Sequence, residues 1–247
     1  MTAVPPTTGA AAGADNNDPW WYALIRSRLF EGGYEWVLRG LFRLRPHGTE
    51  TLPRSGPVIL CYNHGSHYDA FFMQAVGRRV LGEMPVPVIW QGTLQYPIVG
   101  SWLRAWRVVP IGRTSHTTAR SMALMQMVLH LRHGRSFTIA CEGKRLDALG
   151  PFRPGAAWAA MQTGVLVVPC SLRGVQPLFK KLPWPDKFRG NVEVHFHPPL
   201  DPRAFGSVDE LTQAIRRAIA SQIDYPLQEN VGASGGGRPA RSNTPLV

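Results

Sequence analysis

The chain has 247 residues, enough for one large α/β domain or two small ones, and 44% of them are hydrophobic, enough for a sizeable core. Its net charge of +11 comes wholly from residues 104–189, where 14 Lys and Arg face three acids, Glu142, Asp147 and Asp186. Such a middle section points to an anionic partner: nucleic acid, a phosphorylated small molecule, an acidic protein or an anionic membrane surface. Three cysteines, Cys61, Cys141 and Cys170, with no close spacing exclude a disulfide framework or a zinc finger and fit a reducing compartment.

Residues 1–18 are rich in Ala, Pro, Thr and Gly, without the basic start and apolar run of a signal peptide, and read as a disordered tail. From Trp20 to Arg45, aromatics and leucines alternate with arginines at helical spacing. We expect two amphipathic helices over 19–46, broken at Gly32-Gly33. They either lie in a headgroup region or pack on the protein's own core. No apolar run approaches the roughly 20 residues that span a bilayer.

Pro57–Cys61 and Pro85–Gln91 read as strands, with a helix over Ala70–Val80 between them that starts at or just after Asp69. Thr93–Trp106 reads as a short helix leading into a strand at Arg107–Ile111. Thr114–Arg132 is a long helix. Met122, Met125, Val128, Leu129 and Arg132 mark its periodic face, which we assign to the core rather than to an acyl-chain site, and Gly134 caps it. Ser136–Cys141 is a strand, and Gly155–Thr163 is a helix opened by Pro154 and closed by Gly164. Val165–Leu172 is an apolar, central strand, and Asn191–His197 an outer one. Ser207-Val-Asp-Glu210 is a capping box opening a last helix, with Leu211, Ile215, Ala218, Ile219 and Ile223 on its apolar face. The alternation predicts an α/β fold: a single domain over 47–226, with a mixed, mostly parallel sheet flanked by helices, followed by a disordered tail over 227–247.

The stretch Asn63-His64-Gly65-Ser66-His67-Tyr68-Asp69 sits between a strand and a helix, a rigid mount for reactive groups. Imidazole titrates near neutral pH, so His64 can take a proton from an alcohol attacking a carbonyl. A carboxylate at Asp69 would fix its tautomer and stabilise the imidazolium. Asn63 would hold the turn, and Gly65 and Ser66 give it room to bend. With no nucleophile motif nearby, direct transfer to an acceptor hydroxyl fits better than a covalent acyl-enzyme. Arg113, just past the strand end in Val109-Pro-Ile-Gly-Arg113, and Arg145, in Cys141-Glu-Gly-Lys-Arg145, converge on one crevice if strand ends do. Together they make a fork for a phosphate, with Lys144 as an added charge. Glu142 would bind acceptor hydroxyls or position an arginine.

Over Thr51–Pro199 these blocks resemble the glycerolipid acyltransferases, in particular the 1-acylglycerol-3-phosphate acyltransferases. His64 and Asp69 match the family's His-x4-Asp pair of base and orienting carboxylate. Val109-Pro110-Ile111-Gly112-Arg113 matches a block whose arginine contacts the acceptor phosphate. Glu142-Gly143-Lys144-Arg145 is similar to the acceptor-binding Glu-Gly-Thr-Arg, and Val167-Val168-Pro169 to the fourth block. Cys141, Lys144 and Leu146 stand where the family usually has proline, threonine and serine, departures that fall in the acceptor-binding block rather than at the base. The resemblance implies transfer from acyl-CoA or acyl carrier protein to a lysophospholipid, 1-acylglycerol-3-phosphate first. It implies a phosphate site of Arg113, Glu142, Gly143 and Arg145, no bound cofactor, and a peripheral place on the cytoplasmic side of a membrane with anionic lipids.

Alternatives within the same chemistry are other acceptors, such as an ornithine lipid or a glycolipid, and outside it a non-catalytic binder of anionic lipid. Gly232-Ala-Ser234-Gly-Gly236 matches a hydrolase pattern but lies in the tail, with no strand before it to build the strained elbow. No nucleic-acid-binding motif accompanies the charge, so no nucleic acid is expected. His195 and His197 share a strand face, yet without an acidic cluster beside them we expect no metal.

Overall fold

The computed structural model describes residues 18–66, 68–112, 117–144, 148–175 and 190–228. Arg113, Arg145, His67 and the Gly232–Gly236 pattern lie outside them, as does most of each expected tail. Asp18, placed in the first tail, is tied down: its carboxylate accepts a hydrogen bond from Arg26 at 2.6 Å.

Seven strands form one sheet in the order β1-β7-β6-β2-β5-β3-β4. Their ranges are β1 Arg45–His47, β2 Ile59–Tyr62, β3 Val86–Trp90, β4 Val109–Ile111, β5 Phe137–Ala140, β6 Val167–Arg173 and β7 Glu193–Phe196. Neighbours are parallel except β6 and β7, so the sheet is mixed and mostly parallel. β2 is buried at all four residues, as a strand covered on both faces must be. One face packs Ile59, Cys61, Phe137 and Val167 under the helices α5 (Thr117–Arg132), α6 (Gly155–Thr163) and α7 (Val208–Ala220). The other packs Leu60, Tyr62 and Val168 against Phe42 of α2 (Arg28–Phe42) and Phe72 and Met73 of α3 (Asp69–Leu81). α1 (Trp20–Ile25) and α4 (Pro97–Ala105) complete the α-helices among the described residues.

Two expectations need correction, and one strand was missed. The N-terminal helices part at Arg26-Ser27, not at Gly32-Gly33. Ser27 is extended and its hydroxyl accepts the Phe30 N–H, so it caps a helix that runs on through both glycines. The stripe assigned to the core of α5 is largely exposed: Met122 and Met125 are each 60% accessible and Leu129 49%. The buried face is Ala123, Met127, Val128 and Leu131. Both sets obey helical spacing, and small Ala123 carried little weight in the pattern although it is 1% exposed. Finally, β1 went unread. Its sequence is Arg-Pro-His, and it forms only because β7 offers it a parallel edge.

The last helix forms as its capping box predicts. Ser207 Oγ accepts the Glu210 N–H at 3.1 Å, while the Glu210 carboxylate reaches back one residue further, to the Gly206 N–H at 2.8 Å.

Candidate active site

β2 ends at Tyr62, and the chain turns where its ladder would continue. Asn63 fills that place with its side chain. Its amide donates to the Leu172 carbonyl at 2.9 Å and accepts the Leu172 N–H at 2.7 Å. A fully buried side-chain amide thus bonds β6 as a backbone unit would, which fixes the point from which the next residue projects.

His64 follows, and α3 begins five residues on with Asp69 in its first turn. The Asp69 carboxylate is fully buried yet holds three donors. Its Oδ2 lies 2.9 Å from His64 Nδ1 and accepts the Ser66 N–H at 2.8 Å, and its Oδ1 accepts the Ser66 hydroxyl. Ser66 Oγ accepts in turn from the Tyr68 N–H at 3.1 Å. Burying a carboxylate is tolerable only with such bonding, and the helix N-terminus favours the negative charge. The pair read from the sequence is therefore brought together, with Nδ1 as the protonated nitrogen facing the carboxylate. His64 Nε2 has no hydrogen-bond partner among the described residues, on a side chain 26% accessible.

Ser66 does more than give the turn room. It is fully buried and bonds both oxygens of Asp69. The signal was available in Ser66-x-x-Asp69, the spacing of a capping interaction ahead of an apolar run.

β5 runs parallel beside β2, with Tyr62 opposite Ala140, so the residues after Ala140 reach the His64 turn. Glu142 does not offer its carboxylate to solvent. It is 2% exposed; its Oε2 accepts the His64 N–H at 2.7 Å and its Oε1 the Gly150 N–H at 2.9 Å. Burial raises the Glu142 carboxyl above its ordinary value, partly countered by those two bonds. Both carboxylate oxygens are thereby engaged by backbone N–H groups, one of them in the histidine turn, a role not among the two expected from the sequence. Gly143 stands at the exposed tip with φ +68°, where a side chain would be strained, and Lys144 is exposed beside it.

A mixed sheet in an α/β fold, carrying a histidine–carboxylate pair at a strand end on a partly accessible histidine, defines an enzyme-like base on a rigid frame. The model of the acyltransferase family matches residues 43–173, more than half of the chain, and the protein belongs to that family. Among curated relatives it is 30% identical over 189 residues to the chloroplastic 1-acyl-sn-glycerol-3-phosphate acyltransferase LPAT1 of Arabidopsis thaliana, covering 74% of this chain and 50% of that one. It is 29% identical over 183 residues to the chloroplastic 1-acyl-sn-glycerol-3-phosphate acyltransferase BAT2 of Brassica napus, covering 72% and 50%. The chain thus spans about half the length of the curated relatives it matches. Its fold is that of the 1-acyl-sn-glycerophosphate (LPA) acyltransferase PlsC from Thermotoga maritima, with a TM-score of 0.62 at 22% identity over 81% of this chain and 83% of that one.

Proposed function

We propose that the chain moves a fatty acyl group from an acyl thioester to a hydroxyl of a lysophospholipid, 1-acylglycerol-3-phosphate first, giving phosphatidic acid. The observation that carries this reading is the His64–Asp69 pair at 2.9 Å, on a histidine side chain that is 26% accessible. His64 Nε2 takes the hydroxyl proton, and the oxygen bonds the thioester carbonyl carbon. The tetrahedral intermediate then expels the thiol sulfur, which takes the proton back from the imidazolium. Asp69 steadies the imidazolium while it exists. The names of the two plant relatives favour the 1-acylglycerol-3-phosphate acceptor. Arg113 and Arg145 are proposed to hold its phosphate, with acyl-CoA or acyl carrier protein as donor and no bound cofactor.

The acceptor is a lipid, and α1 and α2 are suited to meet a membrane surface from one side. Trp20, Leu29 and Trp36 are 81%, 90% and 77% exposed. Their other face is anchored: Arg26 donates to the Ala105 carbonyl at 2.6 Å, and Tyr34 to the Phe71 carbonyl at 2.7 Å. No helix among the described residues is long and apolar enough to cross a membrane, so the attachment proposed is peripheral, on the cytoplasmic leaflet with its anionic lipids.

Purified protein given acyl-CoA or acyl carrier protein thioester and a panel of lysolipids tests this, with products identified by mass. Acylation of 1-acylglycerol-3-phosphate is the expected outcome. Acylation of an ornithine lipid or glycolipid acceptor instead would keep the chemistry and replace the substrate. Lipid binding with no transfer from either thioester would overturn the enzyme reading.

A further inference from the structure

Strands β1 and β7 put three metal-ligating side chains on one face at the edge of the sheet. In the parallel register His47 stands opposite His195, and Glu193 lies two residues before His195, on the same face of the pleat. The two imidazoles stack with centroids 4.6 Å apart and planes 15° from parallel. One donor atom from each of the three residues lies within 4.8 Å of the others. His195 Nε2 and Glu193 Oε2 are already 3.3 Å apart. Metal–nitrogen and metal–oxygen bonds of about 2.0–2.2 Å in a tetrahedron separate donor atoms by about 3.3 Å, so the Glu193–His195 pair already has the required spacing and the stacked His47 ring must turn to join it.

We propose that His47, Glu193 and His195 form a site for a first-row divalent ion, Zn²⁺ in particular, that clips the edge strand β1 to β7. Two neutral imidazoles and one carboxylate are a donor set for zinc, copper, nickel or cobalt rather than for calcium or magnesium. A water completes the fourth position. His195 binds through the Nε2 lone pair as the Nδ1–H tautomer, the proton facing Glu193 in the free protein being released to solvent or moved to Nδ1.

Arg173 lies 3.7 Å from Glu193, and Arg45 stands opposite it in the register. Both oppose a bare cation. Arg173 also draws on the Glu193 carboxylate, which supplies the anionic ligand of the site. His197, next on the same face, is engaged elsewhere: its Nε2 pairs with Ser171 Oγ at 2.7 Å. The partner of His195 is therefore a residue 148 positions away in sequence, not its strand neighbour.

Metal-stripped, untagged full-length protein titrated with Zn²⁺ in a calorimeter tests the site, beside His47→Ala, His195→Ala and Glu193→Gln. The wild type is expected to take up one more equivalent than either histidine variant and to gain thermal stability as it does. Glu193→Gln, which keeps the side-chain volume, is expected to weaken that equivalent by about tenfold or more. It decides the matter if a histidine variant fails to fold by circular dichroism. Equal stoichiometry and affinity in wild type and folded variants, or no uptake by the wild type, would overturn the proposal.

Discussion

Glu142 holds His64 by its backbone, not by its ring: Oε2 accepts the His64 N–H at 2.7 Å while the ring turns to Asp69. The imidazole is thus fixed twice, at its root by a carboxylate from the end of β5 and at Nδ1 by one from the start of α3.

Replacing Glu142 with glutamine puts an amide NH₂ or a single oxygen where two backbone N–H groups need acceptors. Loss of about 1–3 kcal/mol in urea unfolding is expected, with reduced acyl transfer. The raised carboxyl has a second consequence. Above the ordinary value of 4.5 the unfolded chain ionises Glu142 before the folded one does, so this group's contribution to stability falls as pH rises from there through its folded value. That component should vanish in Glu142→Gln when stability is followed from pH 4 upward.

His64→Ala should leave folding intact and reduce acyl transfer by about 10²–10⁴-fold, the usual worth of a positioned general base. Asp69→Asn should cost a comparable factor by offering an amide where Nδ1–H and the Ser66 donors need oxygens. A single-turnover assay beside a circular dichroism spectrum checks both, and wild-type rates in folded His64→Ala would remove His64 as the base.

His130 is held down to about 4, by burial first and then by Arg135, His133 and Arg107. For a histidine buried neutral, the unfolded chain takes its proton first. Stability contributed above about 6.5 is therefore lost as pH falls toward 4. His130→Gln should flatten this part of the acid limb in denaturation curves at pH 4.5 and 7.

Gly32 and Gly33 lie inside α2, and a Cβ at either meets no atom within 4 Å. Gly32→Ala and Gly33→Ala should each stabilise by about 0.5–1 kcal/mol by narrowing the unfolded ensemble, visible as a higher midpoint in thermal unfolding.

Leu29 and Trp36, seven residues apart on the outer face of α2, are proposed to enter a lipid surface. Leu29→Asp with Trp36→Asp should reduce co-sedimentation with vesicles containing anionic lipid while leaving the unfolding midpoint nearly unchanged, since neither side chain is part of the core. Unaltered co-sedimentation would move the membrane contact off this face.

Much of the architecture was legible because it is local. Strand–helix alternation, the cap at Ser207 and the left-handed glycines at 134 and 164 are set by neighbours a few residues apart. His64 and Asp69 were legible for the same reason, lying within one turn and the first residue of one helix. What stayed hidden depends on partners distant in the chain. β1 exists as an edge to β7, the buried face of α5 depends on what it packs against, and Ser27 rather than the glycines starts α2 because its docked turn supplies the cap. Glu142 shows the division most plainly. Its block was read from the sequence, but its direction was not. Hydrophobic burial of β5 beside β2 carries that carboxylate into the interior, where it accepts from two backbone N–H groups that would otherwise lack partners. The sequence by itself determined the catalytic pair proposed here; only the tertiary structure decided which carboxylate holds the pair in place.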